Sequence, residues 1–121
     1  MRLFATSDFL CRAKKIGLEE EALRTAAARL EEGAVDAHLG SGLVKQRIER
    51  GSHGRASSAR AIMFWKQGDF VLCLEVFLKS ERATLGLREL RALRKLALVY
   101  SRLASADIER LLLEGRWSQL E

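Results

Sequence analysis

The feature that most constrains this chain is a pair of strand-like runs on either side of one tight turn. Ile62, Met63, Phe64 and Trp65 lead into Gln67-Gly68-Asp69, after which Phe70 to Lys79 alternates. In an extended chain Phe70, Leu72, Leu74, Val76 and Leu78 share one face, while Val71, Cys73, Glu75, Phe77 and Lys79 share the other. The first face is apolar throughout and must lie on a core. Good β formers around a glycine turn predict a hairpin, with strands over Arg60–Lys66 and Phe70–Lys79.

A third run precedes them. From Leu43 to Arg50, Val44, Gln46 and Ile48 fall on one face and Leu43, Lys45, Arg47 and Glu49 on the other, so two cations share a face. Gly51 to Ser58, rich in glycine and serine, is expected to be a surface loop, and Gly40-Ser41-Gly42 a turn. From Gly42 to Arg60 there are five cations (Lys45, Arg47, Arg50, Arg55, Arg60) and one acid (Glu49), whereas residues 1–41 hold six cations and seven acids. The basic charge is concentrated around this segment.

Helical spacing brackets these runs. Asp8 is placed to cap a helix over residues 9–15 that Gly17 ends, and Ala22, Leu23, Ala26, Ala27 and Leu30 give a helix over 19–32, followed by Gly33. Leu87, Leu90, Leu93, Ala97 and Tyr100 form the apolar stripe of a helix from Leu87 to Arg102. A last short helix begins near Ser105 and Asp107, contains Ile108, Leu111 and Leu112, and stops at Gly115; Arg2–Ala5 suits an edge strand. The expected plan is α+β, one domain over residues 1–121. N-terminal helices occupy 8–32, a small antiparallel sheet 42–79 and C-terminal helices 87–114, with the helices packed on one sheet face. The other face would then carry Lys45, Arg47 and Arg60.

At 121 residues and a formal charge of +5, the composition fits a soluble protein with an anionic partner, nucleic acid or an acidic protein. No apolar run approaches the length of a spanning helix, and the N-terminus does not resemble a secretory signal, so a cytoplasmic protein without membrane association is expected. Cys11 and Cys73 are far apart and His38 and His53 are isolated, which predicts neither a disulfide framework, a metal site nor a cofactor.

Four blocks of sequence together resemble the RelE/HigB family of type II toxins, in its branch of small basic members with an N-terminal helical pair. They are DAHLGSGLVKQRIERGSHGR (Asp36 to Arg55), SSARAIMFWKQGD (Ser57 to Asp69), VFLKSERATL (Val76 to Leu85) and RELRALRKLA (Arg88 to Ala97). The branch has "DADLGGGVIKQRIAR", "GGYRTIVLFRxGD", "GFAKSERxNI" and "xELxALKKLA" at these places. The resemblance implies a toxin that cuts messenger RNA, in many members on the ribosome. It also implies a cognate antitoxin, expected to be a helix-turn-helix protein through which alone the toxin reaches operator DNA.

The implied chemistry is metal-independent attack of the RNA 2′-hydroxyl on the adjacent phosphorus. It needs a proton acceptor, donors for the phosphate oxygens and in-line geometry. Arginine stays charged and forks onto phosphate, which suits Arg47 and Arg60; lysine accepts a proton only where its surroundings disfavour the charged form, which makes Lys45 the first candidate and Lys79 the second. The expected catalytic set is Lys45, Arg47, Arg60 and Lys79, with Arg50, Arg55 and Arg82 contacting RNA or ribosome. Trp65 and Phe77 are either base-stacking or core aromatics, and Trp117 either core or antitoxin contact. Lys79, Glu81 and Arg82 alternatively form a salt-bridge cluster.

The chain departs from the branch at Ala59, where a tyrosine precedes the arginine, and at Glu75, where another tyrosine is the rule. A catalytically degenerate protein acting through its antitoxin, or a toxin of the same scaffold with a target such as gyrase, are the alternatives.

Overall fold

The computed structural model describes residues 1–49, 58–82 and 84–120. In chain order the elements are β1 (Arg2–Thr6), α1 (Ser7–Lys15), α2 (Glu20–Glu31), β2 (Ala37–Gly40), β3 (Leu43–Ile48), β4 (Ala59–Lys66), β5 (Phe70–Leu78), α3 (Leu87–Ser101), α4 (Ser105–Leu113) and β6 (Trp117–Leu120). The strands form one six-stranded sheet in the order β2-β3-β4-β5-β1-β6. Every neighbouring pair is antiparallel except β1 with β5. The α+β class with a mostly antiparallel sheet is the one expected.

The hairpin that organises the sequence is present. Lys66 pairs with Phe70, Gly68 takes φ +78°, and the Asp69 N–H donates to the Lys66 carbonyl at 3.0 Å. A second hairpin, unforeseen because β2 is only four residues long, joins β2 to β3. Ser41 and Gly42, at φ +56° and +82°, supply the positive φ values that a two-residue turn demands. Gly42 is also sterically required: a Cβ there would lie 2.8 Å from Cε1 of Phe64.

The simple alternation expected of β5 fails at a bulge. Ile62 pairs with Glu75 but Met63 with Cys73, so Leu74 is an extra residue on β5. Beyond it the faces exchange: Val76 and Leu78 turn to the side of Val71 and Cys73, and Phe77 joins Phe70 and Leu72. Period-two reading could not see this, because both faces of β5 are apolar.

For the same reason the helices are not confined to one face. α1 and α2 pack Phe9, Ala13, Leu23, Ala26 and Leu30 against Val44, Ile48, Met63, Val71 and Cys73. α3 and α4 bring Leu93, Ala97 and Ile108 to the opposite face, against Leu43, Ile62, Phe64, Phe70 and Leu72. Near-continuous apolar strands are the signature of a sheet covered on both sides.

The sheet also extends beyond residues 42–79. β1 is not an edge: it lies between β5 and β6, with Phe4 and Ala5 wholly buried. Trp117 begins β6 opposite Thr6 and is 4% exposed, its ring 5.6 Å from Phe4 and 5.8 Å from Tyr100. It is a core residue, not a surface for a partner. Thr6 rather than Asp8 caps α1, its Oγ1 accepting the Phe9 N–H at 3.1 Å, while Asp8 occupies the first turn. Gly17 and Gly33 follow α1 and α2 at φ +72° and +81°, as the sequence predicts.

Candidate nucleic-acid interface

Directly opposite residues of neighbouring strands share a sheet face, so the register lays out the α3-side surface as rows. Leu43, Phe64 and Leu72 form one row, Lys45, Ile62 and Glu75 the next, and Arg47, Arg60 and Phe77 the third. The first row is sealed by α3, and Arg94 of that helix donates to the Leu39 carbonyl at 2.8 Å, fastening the β2–β3 hairpin. Lys45, Arg47 and Arg60 thus lie together on one face. They share it with a helical layer, instead of occupying a bare second face.

The Arg47–Arg60 pair is electrostatically unusual. The Arg47 N–H and C=O are both bonded away from β4, to Asp36 and Arg29, so the two arginines make a non-hydrogen-bonded cross-strand pair, the geometry with the closer side chains. Like charges directly opposite each other oppose pairing, by an amount on the scale of 0.2–1 kcal/mol, roughly, for cross-strand pairs. Arg60 is half-buried and donates through Nη1 to Ser58 Oγ and the Ala59 carbonyl, both at 3.2 Å; Arg47 is exposed. An anion bridging both would relieve the repulsion.

Phe77 closes this row as a buried ring, and Arg82 stacks its guanidinium 4.9 Å above the centroid. Arg82 is not free for RNA as it stands, since it makes a bidentate pair with Glu89 at 3.0 and 2.9 Å. The pair raises the pKa of Arg82 and lowers that of Glu89, whose Oε1 also accepts the Gly86 N–H at the start of α3. Glu75 sits nearby with its pKa raised, first by desolvation and then by the Glu89 carboxylate; Arg82 pulls the other way and Asp8 adds to the rise.

The alternative cluster of Lys79, Glu81 and Arg82 is not what forms: Arg82 pairs with Glu89, and Glu81 with a residue of α1. Arg12 of α1 grips Glu81 at 2.8 and 2.9 Å, and that bond, together with the Leu78 N–H, depresses the Glu81 pKa. Lys79 is exposed just past the end of β5, its backbone N–H bonded to the Ser58 carbonyl at 3.1 Å. Arg50, Arg55 and His53 lie outside the described residues. Trp65 packs on the α1/α2 side, away from the three cations, so it cannot stack a base beside them.

Gln46, read only as a member of the inward face, proves to be wholly buried and fully bonded. Its Oε1 accepts the Asp36 N–H at 2.8 Å, and its Nε2 donates to the Ala26 and Ala34 carbonyls, each at 3.1 Å. A lone amide between two apolar inward residues was the available signal. Burial pushes the Cys73 thiol up to about 12, while Cys11 is exposed. Among the described residues no three His, Cys, Asp or Glu side chains group as a metal site, and no helix is long and apolar enough to cross a membrane.

No curated protein matches the chain. A family model does, that of the RelE toxin of the RelE/RelB toxin–antitoxin system, over residues 1–120. The match takes in both hairpins, both helical layers and the basic rows. The match covers nearly the whole chain, and the chain therefore belongs to the RelE toxin family, a toxin whose partner is a cognate antitoxin.

Proposed function

We propose that this toxin is an endoribonuclease that cuts messenger RNA on the ribosome without a metal and is held inactive by its antitoxin. The observation that carries the reading is the Arg47–Arg60 pair: two like charges opposed in the closer cross-strand geometry, at the end of the sheet face that also carries Lys45. Such an arrangement opposes pairing in the free protein and favours a phosphate between the two guanidiniums.

In the proposed reaction the RNA 2′-oxygen attacks the adjacent phosphorus as its proton leaves, and the P–O5′ bond breaks. The 5′-oxygen takes up a proton, so the products are a 2′,3′-cyclic phosphate and a 5′-hydroxyl. Arg47 and Arg60 hold the phosphate and balance the charge that grows on its oxygens, the contribution that usually dominates in such sites. Lys45, half-buried in the adjoining row, and Lys79, at the end of β5, are the candidates for proton transfer. Arg50, Arg55 and Arg82 would hold flanking phosphates, Arg82 after exchanging Glu89 for RNA.

A second reading has one observation in its favour. Glu75 stands in the same row as Lys45, and Glu89 engages Arg82, so two carboxylates border the cations. On that reading the protein keeps the scaffold and its antitoxin but lacks strong nuclease activity.

Translation of a defined message by purified ribosomes, with ends mapped by primer extension, separates the two. Cuts within the A-site codon by the wild type, absent with Lys45→Ala/Arg60→Ala, are the expected result. Intact message with folded wild-type protein would favour the second reading.

A further inference from the structure

Strand β2 stops short of the arginine pair. The last residue of β3 that it reaches is Lys45, opposite Ala37, so the outward N–H and C=O of Arg47 lie beyond the neighbouring strand. Two side chains complete the ladder there. Asp36 Oδ2 accepts the Arg47 N–H at 2.6 Å, and its Oδ1 accepts from Arg29 Nη2 at 2.8 Å. Arg29 Nη1 in turn donates to the Arg47 carbonyl at 3.3 Å. The hydrogen bonds form a closed ring around one backbone residue.

We propose that Asp36 and Arg29 are positioning residues for Arg47, a carboxylate–guanidinium clamp that substitutes for the missing strand residue and fixes the direction in which the Arg47 side chain leaves the sheet. The proposal rests on the reading of Arg47 as a phosphate-binding group.

The connection between α2 and β2 does not need this ring for its own anchoring. Two hydrogen bonds of Gln46, with the Asp36 N–H and the Ala34 carbonyl, already tie that connection to β3, and a third joins β3 to α2 at Ala26. The ring is instead a surface device, with Arg29 and Asp36 33% and 37% exposed, and it closes on the residue that faces a like charge. Repulsion from Arg60 disfavours the pairing at the end of β3 that β2 leaves uncovered, and the clamp ties that end to α2. Burial raises the Asp36 pKa, but the hydrogen bonds from the Arg47 backbone and Arg29, with the charges of both arginines, outweigh it and leave the pKa lowered. Asp36 is therefore ionised, and its pair with Arg29 intact, at neutral pH.

A double-mutant cycle tests the clamp. RNA cleavage by wild type, Asp36→Ala, Arg47→Ala and the double variant is compared, with amide exchange at residue 47 followed in the Asp36 variants. Asp36→Ala is expected to speed that exchange at least about tenfold and to lower kcat about 10–100-fold with KM changed far less, the scale of a misplaced catalytic group. In the Arg47→Ala background the same change should cost little further, and Asp36→Asn, which keeps one acceptor for the Arg47 N–H, should recover part of the loss.

Losses that simply add in the double variant, or that follow the unfolded fraction, overturn the clamp; should Asp36→Ala not fold, Arg29→Gln runs the same cycle. If the wild type leaves RNA intact, the cycle is read on binding of an RNA oligonucleotide carrying 2′-deoxy substitutions. Coupling between Asp36 and Arg47 there keeps the clamp while removing the nuclease. Additive binding losses remove the clamp, and no binding by the wild type removes both.

Discussion

The α3-side face of the sheet has two ends, which share β4 and β5 and are opposite in character. At one end Phe4, Phe64, Phe70, Tyr100 and Trp117 interlock, with Phe4 and Phe70 meeting edge to face at 5.6 Å and Phe64 and Tyr100 at 6.0 Å. At the other end, along β3, β4 and β5, the rows become Lys45–Ile62–Glu75 and Arg47–Arg60–Phe77. Moving from Leu43 to Arg47 exchanges a sealed aromatic core for opposed guanidiniums. β1 and β6 join only the sealed end, and α3 and α4 close it with Leu93, Ala97 and Ile108. Stability is concentrated where helices exclude water, and like charges are tolerated where they do not.

This contrast can be broken from either end. The largest effect on folding is expected at the sealed end, where Phe70→Ala should lower stability by about 3–5 kcal/mol, the usual range for deleting a buried aromatic. Chemical denaturation would measure it, and a loss below about 1 kcal/mol would mean that the aromatic cluster is not a close-packed core.

At the open end Arg60→Ala should behave inversely. If the function is as proposed, cleavage should fall about 10²–10³-fold, as when one transition-state donor is removed, while stability changes by only a few tenths of a kcal/mol or even rises as the repulsion with Arg47 is lifted. A variant that unfolds instead would show that Arg60 supports the fold.

Glu75 sharpens the boundary between the ends. Its folded-state pKa is raised, so the folded protein holds that proton more tightly than the unfolded chain does. Stability from this group is greatest at low pH and declines as pH rises from the unfolded to the folded pKa. Glu75→Gln should therefore be slightly more stable than wild type at neutral pH, a small effect because the exposed carboxylate is screened by solvent, with the gap closing on acidification. Removing a carboxylate from the row that carries Lys45 should also tighten RNA binding. Melting curves across the carboxylate range check the first effect, and a wild type that gains nothing on acidification relative to the variant would exclude the upward shift that desolvation and the Glu89 carboxylate give Glu75.

The smallest expected effect concerns the thiols. A bulky thiol reagent should modify Cys11 and spare Cys73, because Cys11 is exposed and Cys73 lies buried between α1 and the sheet with its thiol held neutral. Mass spectrometry of the labelled folded protein decides it, and rapid double labelling would indicate that the α1-side core opens readily.

Much of this was legible along the chain because its causes are local. The hairpin at Gln67-Gly68-Asp69, the helical stripes, and the shared face of Lys45 and Arg47 depend on turn residues and on periods of two and 3.6. Where both faces of a strand are apolar, that legibility ended. Leu74 gives no sign of being a bulge, and nothing in the run from Arg60 to Lys66 shows that its strand is covered from both sides. The four-residue strands β2 and β6 are too short to show a period, so the sequence leaves Trp117 open between core and antitoxin contact and makes β1 an edge.

By itself the sequence determined the α+β class, the antiparallel core of β3, β4 and β5, the concentration of positive charge, and the family to which the chain belongs. Only the tertiary structure decided that helices cover both faces, that Arg47 stands opposite Arg60, that Glu89 holds Arg82, and that Asp36 and Arg29 close around the Arg47 backbone. The division has a physical origin. Periodicity and turn chemistry act between residues a few positions apart, whereas register, bulges and ion pairs join residues such as Arg12 and Glu81, or Arg94 and Leu39, which become neighbours only after the sheet has formed.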